Sequence, residues 1–293
     1  MNRPAVRTTT TTRRRLPQTA AILLAAAAIL LFSGCRNMIV YHPANDDEEV
    51  LLETAARKGL EPWPEAGEDR IGWYAPPPAP RSEQETQHRV LIFHGNGGQS
   101  VKRDHFASGF QGPQSMDSWE VYILEYPGYG SRPGKPSERA LVSAAQDAVD
   151  RLLEADPSRP VYLVGESLGT AVASIVASEY PDAVPAVLLI TPFTNIVDVG
   201  ATMFPRFFVR AVLRDRYDSE AALAEYSGRV GVLLAGEDDL VTTELGQELY
   251  DGYHGEKRLW IQEEAGHNTL DYSPDSPWWR EVTAFLLGGE ASR

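Results

Sequence analysis

Gly165-Glu166-Ser167-Leu168-Gly169 sets a hydroxyl between two glycines, and its surroundings give the pattern meaning. The β-prone run Val161-Tyr162-Leu163-Val164 enters it, and an alanine-rich helical pattern leaves it. Five such letters alone arise by chance in roughly one chain in ten of this length. Strand, elbow and helix together are far rarer. In such an elbow the serine backbone is strained, and a side chain at either glycine position would obstruct the turn. The Ser167 hydroxyl is then lifted above the carboxyl edge of a sheet, at the dipole-positive start of the next helix. The chemistry this suits is nucleophilic attack. A serine used that way needs a base, and the base needs an acid to fix its tautomer.

His267 is the expected base, because it follows the strand-like run 257–262 through Glu263-Glu264-Ala265-Gly266. The other histidines fit less well: His42 lies near the N-terminus, His88 in a polar stretch, and His105 and His254 in helix or loop. The acid is expected after Val230-Gly231-Val232-Leu233-Leu234-Ala235, where Gly236-Glu237-Asp238-Asp239 offers two aspartates. Counting back from Val241 and the following helix favours Asp238, in an Asp-x-x-Val frame. Counting forward from Gly236 keeps Asp239 as the alternative, and Asp198, after the preceding strand, is a remote third. Serine, acid and base follow in that order along the chain. Acid and base each lie past the carboxyl end of a strand, where an open parallel sheet binds its ligands.

His94 is the other histidine at a strand end. It opens His94-Gly95-Asn96-Gly97-Gly98, directly after Val90-Leu91-Ile92-Phe93. A glycine-rich turn suits an oxyanion hole, since missing Cβ atoms let backbone N–H groups approach a substrate oxygen. One donor is expected from Asn96 and the other from Leu168, the residue after the nucleophile. No His-x-x-x-His pair or cysteine cluster calls for a metal, and no cofactor is expected.

These segments together resemble the serine α/β-hydrolases. Within them they are similar to a bacterial, lipoprotein-type branch that looks like the mammalian ABHD esterases and thioesterases, a serine aminopeptidase-like group. The motifs that carry the resemblance are Phe93-His94-Gly95-Asn96-Gly97-Gly98, Glu125-Tyr126-Pro127-Gly128-Tyr129-Gly130-Ser131, the serine elbow, Thr191-Pro192-Phe193 and Gly266-His267-Asn268. They span about residues 70–287. The resemblance implies hydrolysis of esters, thioesters or small amides. The expectation is a serine hydrolase that cleaves a carboxylic ester through an acyl-enzyme, with the catalytic set Ser167, Asp238 and His267. A thioesterase or an aminopeptidase-type amide hydrolase would use the same three residues, and a membrane-tethered binding protein without turnover is the alternative of another class. The chain departs from the pattern of the group it resembles at the acid loop, where members usually carry Pro after Asp-x-x-Val and this chain has Thr242.

The elements that must position this chemistry are legible as an alternation. Strands are expected at 70–75, 89–93, 119–125, 160–165, 185–190, 230–235 and 257–262. A helix is expected over 137–155, where Leu141, Ala145, Ala148, Val149 and Leu152 recur at helical spacing after a Ser137 N-cap. Another covers 277–287, with Ser276 capping, Pro277 at its first position and Gly288 ending it. Strands alternating with helices imply a mostly parallel, twisted sheet covered on both faces. The α/β-hydrolase domain is expected over 70–293, preceded by an irregular, acidic arm at 35–69. Residues 192–228 break the rhythm and form a short cap over the site. Its aromatics around Met203-Phe204-Pro205-Arg206-Phe207-Phe208 could line an acyl pocket, and more simply would be the core of a helical excursion.

Residues 1–34 read as a leader rather than as fold. Arg3, Arg7 and Arg13-Arg14-Arg15 precede a thirteen-residue apolar stretch, Ala20 to Phe32, of signal-peptide size. Small residues before Cys35, the one cysteine in the chain, resemble a bacterial lipoprotein processing box, so Cys35 is the expected lipidation site. The expected location is the periplasmic face of a cell-envelope membrane. Removing that leader takes away five arginines and no acids, which lowers the formal charge from −14 to −19. A body so acidic repels phosphate backbones, which excludes nucleic acid as a partner and leaves a small ester or acyl substrate. By the same balance anionic lipid would not hold it electrostatically, and acyl chains would have to.

Overall fold

The computed structural model describes residues 40–64, 69–79, 86–115 and 117–289. The leader and Cys35 lie outside them. In chain order the elements are β1 (His42–Pro43), α1 (Glu48–Arg57), β2 (Glu61–Trp63), β3 (Gly72–Ala75), β4 (Gln87–Phe93) and β5 (Gly97–Gly98). Then come α2 (Asp104–Phe110), β6 (Ser118–Leu124), α3 (Glu138–Ala155), β7 (Tyr162–Glu166), α4 (Leu168–Glu179) and β8 (Ala186–Ile190). Three short helices follow, α5 (Ile196–Ala201), α6 (Arg206–Val212) and α7 (Ser219–Ala224). The chain closes with β9 (Arg229–Ala235), α8 (Thr243–Gly252), β10 (Lys257–Gln262) and α9 (Trp278–Leu286).

Eight strands form one sheet in the order β10-β9-β8-β7-β4-β6-β3-β2, with parallel pairing throughout except where β3 runs antiparallel to both of its neighbours, β6 and β2. This is the mostly parallel α/β sheet expected. From β4 the chain steps to β6 on one side, then returns to β7 on the other and continues outward to β10. The reversal opens a crevice beyond the carboxyl ends of β4 and β7, where such sheets bind ligands. Side chains of β4 alternate between two cores: Leu91 and Phe93 pack with α3 and α4, while Val90 and Ile92 pack with α2 and α9. Both faces are covered, which is why the strand reads as an unbroken apolar run. Helix α4 is buried almost all round, and its small alanines let it lie close against the sheet.

Ser137 caps α3 as expected, accepting the Ala140 N–H at 3.2 Å. Two local expectations are corrected. Helix α9 begins one residue later than proposed, with Pro277 in the N-cap position and no side-chain cap; the Ser276 carbonyl takes the Trp279 N–H at 3.2 Å. The described part of the arm, residues 40–64, is not irregular. Asp47, Glu48 and Glu49 start α1, where their charge complements the helix dipole, and β2 pairs with β3 to extend the sheet.

Candidate active site

At Ser167 the backbone has φ 51° and ψ −117°, a strained conformation for a residue with a side chain. The glycines around it are dictated by contact. A Cβ on Gly165 would stand 2.3 Å from the Gly169 carbonyl oxygen, and one on Gly169 would stand 2.0 Å from that of Phe93. Neither is tolerable, so the strand can hand over to α4 this tightly only with glycine at both positions. The Ser167 N–H is held by the Ile190 carbonyl at 2.8 Å.

His267 arrives on the loop after β10 with its ring largely buried. Its Nε2 lies 3.0 Å from Ser167 Oγ and its Nδ1 lies 2.7 Å from Asp238 Oδ2. Three residues separated by as much as 100 positions thus meet in one hydrogen-bonded line. Asp238 is buried, and its other oxygen accepts the N–H groups of Leu240 at 3.0 Å and Val241 at 2.8 Å. Asp239 is exposed. Asp198 stands elsewhere, accepting from Thr194 at 3.0 Å and from Asn195, and pairing with Arg206 at the start of α6. Thr242, where the family resemblance leads to the expectation of proline, has φ −53°, a value that proline would also adopt.

Asn96 and Leu168 both line the cavity beside Ser167. Leu168 is the first residue of α4, where backbone N–H groups have no partner within the helix. Asn96 is anchored through its carbonyl and its side chain. Its carbonyl accepts the His42 N–H at 3.1 Å and the Tyr129 hydroxyl at 2.9 Å, while its side chain donates to the Val40 carbonyl at 2.8 Å. Strand β1 pairs with β5, so the first described residues bind the glycine-rich turn directly. Sequence reasoning missed that role, since two residues of strand leave no periodic signal. His94 lies fully buried behind the turn, Nδ1 2.7 Å from the Gly95 carbonyl and Nε2 3.4 Å from the buried Glu125 carboxylate.

Arg103 and Glu166 were also missed. Glu166 Oε2 accepts the Arg103 Nε–H at 2.6 Å and the Gly95 N–H at 3.3 Å, and Arg103 donates at 3.1 Å to the Gly97 carbonyl. One ion pair therefore ties the serine elbow to the glycine-rich turn. Burial by itself would raise the Glu166 carboxyl, but the charge and hydrogen bond of Arg103 outweigh it and hold the group below its ordinary value. A carboxyl depressed in the folded state contributes stability above its unfolded value and loses it as pH falls toward the folded one. Arg103→Met is accordingly expected to cost about 3 kcal/mol at neutral pH, with the deficit narrowing as pH falls through and below the ordinary carboxylate range and Glu166 protonates. Urea unfolding of both proteins across that range checks it; a deficit that stays constant with pH would refute the assignment.

The cavity over Ser167 has a volume of about 310 Å³. Its walls are mainly apolar: Val40, Phe193, Ile196, Val199, Leu213 and Val241, with Met203 and Leu240 at the exposed rim. Segment 192–228 supplies much of this lining through α5 and the residues after it. The cap aromatics themselves are corrected from core to surface, with Phe204, Phe207 and Phe208 exposed. α6 is a single short helix and buries only Val209.

Residues 88–227 match the family model described as alpha/beta hydrolase fold. An uncharacterized protein of Mycobacterium tuberculosis is 34% identical over 200 residues, covering 67% of each chain. The lysophosphatidylserine lipase ABHD12 of Danio rerio is 30% identical over 205 residues, which cover 64% of this chain and 52% of that protein. The chain thus spans about half the length of that lipase. Among solved structures, an esterase of Pyrococcus furiosus superposes with a TM-score of 0.60 at 16% identity, over 85% of this chain and 98% of that one. Est1E of Butyrivibrio proteoclasticus with ferulic acid bound gives 0.58 at 17% identity, over 74% and 95%. At those identities the likeness is one of fold.

Proposed function

The chain belongs to the alpha/beta hydrolase family, and on that premise we propose that it is a serine hydrolase that cleaves carboxylic esters through an acyl-enzyme. The observation that carries this reading is the unbroken line from Ser167 Oγ through the His267 ring to the buried Asp238 carboxylate. In it, Ser167 attacks the acyl carbon while His267 Nε2 takes the hydroxyl proton. Asp238 holds Nδ1–H and stabilises the imidazolium that forms. The Asn96 and Leu168 N–H groups receive the oxyanion. His267 then returns the proton to the departing alcohol; finally it draws one from the water that attacks the acyl carbon and passes it to Ser167 Oγ as the acid leaves. Positive φ at Ser167 fits this role, since strain is retained where the surrounding packing holds a reactive group in one attitude.

The apolar walls favour an acyl chain over a polar or charged substituent on the carbonyl side. A cavity of about 310 Å³ is at the small end of ligand sites and suits short to medium chains with the remainder projecting through the rim. The name of the Danio rerio relative, a lipase, points the same way. Purified full-length protein is therefore expected to hydrolyse p-nitrophenyl esters, with kcat/KM rising as the acyl chain lengthens from two carbons until the cavity is filled. Thioesters and aminoacyl amides measured alongside should turn over more slowly. Amide cleavage faster than ester cleavage would reject the ester assignment, and no turnover of any acyl substrate would reject the hydrolase.

A further inference from the structure

Val40 and His42 line the cavity over Ser167, while Tyr41 between them is buried with its ring edge to face against Tyr217, the ring centres 6.5 Å apart. The Tyr41 hydroxyl donates to Asp215 Oδ2 at 2.6 Å. With its one proton committed there, it accepts from the Tyr217 hydroxyl at 2.8 Å. Burial first, then Tyr217 and Asp215 beside it, push the Tyr41 hydroxyl far above its ordinary pKa, so it stays a donor. Asp215 and Tyr217 belong to the return leg of the cap, residues 213–218, which has no helix or strand of its own. Leu213 heads that leg and lines the cavity as Val40 does. Glu138, at the start of α3, accepts the N–H groups of Arg216 at 2.6 Å and Tyr217 at 3.1 Å. Tyr217 itself has φ 44°, a left-handed backbone that so large a residue keeps only where its surroundings over-determine it. Here Glu138 holds its N–H and Tyr41 holds its hydroxyl.

We infer that Tyr41 is a positioning residue for the acyl wall: its hydroxyl, bonded to Asp215 and Tyr217, pins the return leg of the cap to the segment that anchors Asn96, and so fixes where the Leu213 wall stands relative to the oxyanion donor. The connection is short. One residue before Tyr41, the Val40 carbonyl accepts the Asn96 side chain at 2.8 Å; one residue after it, the His42 N–H donates to the Asn96 carbonyl at 3.1 Å. Three consecutive residues therefore hold both the oxyanion turn and the cap. Without the Tyr41 hydroxyl, Asp215 and Tyr217 each lose a partner in a place largely shut off from water, and the irregular leg opens more readily. Asn96 keeps both of its holds, since they run through main-chain atoms of the neighbouring residues. A loosened wall then weakens most the substrates that lean on it, because an acyl chain gains affinity from a preformed apolar surface. In its kinetic consequence alone, this role rests on the acyl-enzyme reading.

Hydrogen exchange and steady-state kinetics on the full-length chain test it together. Tyr41→Phe keeps the ring and removes both hydrogen bonds. Tyr226→Phe is the control: it removes a comparably buried hydroxyl, one that donates to the Val184 carbonyl at 2.9 Å away from the cavity. In Tyr41→Phe, amide exchange over residues 213–217 is expected to quicken about tenfold, and in Tyr226→Phe to keep the wild-type rate there. For p-nitrophenyl hexanoate, Tyr41→Phe should lower kcat/KM about tenfold, chiefly through KM, against about twofold for the acetate. Tyr226→Phe should leave the ratio between the two esters as in wild type. Asp215→Asn still presents an oxygen to Tyr41 and should stay within about threefold of wild type, whereas Asp215→Ala should match Tyr41→Phe. That pair carries the test if Tyr41→Phe does not fold. Unchanged exchange over 213–217, or equal losses for hexanoate and acetate, would overturn the proposal, the second in favour of a general effect on stability. Were the wild type to turn over no ester, exchange would still decide: quickening confined to 213–217 would support the role of Tyr41 while the ester assignment alone fell.

Discussion

Ser167→Ala is expected to lower kcat/KM for soluble acyl esters by about four to six orders of magnitude while the protein stays folded. The magnitude follows from the arrangement. His267 Nε2 has Ser167 Oγ as its partner at 3.0 Å, and without that oxygen the base has no proton to take and no covalent intermediate forms. Binding and oxyanion donors would remain, which sets the residual rate above that of water. A companion substitution separates chemistry from architecture. Alanine keeps the Cβ and so leaves the positive φ as costly as before. Ser167→Gly removes it, and should raise thermal stability by about 1 kcal/mol while abolishing turnover just as fully. Ester hydrolysis by Ser167→Ala within tenfold of wild type would dismiss the acyl-enzyme.

The second large effect divides two adjacent aspartates. Asp238→Asn should cost about 10³–10⁴ in kcat, because an amide can still accept from Leu240 and Val241 but turns its NH₂ toward His267 Nδ1 and favours the wrong tautomer. Asp239→Asn, one residue away and exposed, should change kcat less than about twofold, as surface substitutions distant from the reacting groups do. Burst and steady-state kinetics with one ester, run on both variants, give the comparison. Comparable losses in the two would mean that the acid is not assigned by the observed hydrogen bond.

How far the sequence reached depended on whether a feature is local. The seven strands expected lie within a residue or two of those observed, since buried parallel strands must be apolar runs, whereas the two- and three-residue strands β1, β2 and β5 left no such run to read. The glycines of the elbow announced a close approach, and the structure identifies what approaches: the carbonyls of Gly169 and Phe93. Between Asp238 and Asp239 the sequence left a choice that the loop geometry separates, because two backbone N–H groups and the His267 ring converge on one carboxylate alone. Arg103 and Glu166 escaped notice for the opposite reason. They lie 63 residues apart, and no spacing rule connects them.

What the sequence by itself determined is the order of elements and the residue types available at each strand end, because hydrophobic period and glycine steric limits act over a few neighbours at a time. Tertiary structure decided which of those side chains meet, how Val40 and the first strand come to brace the glycine-rich turn, and which apolar residues are left outside. Phe204, Phe207 and Phe208 show why: an apolar letter states a preference for leaving water, and only the packed chain determines whether there is room within.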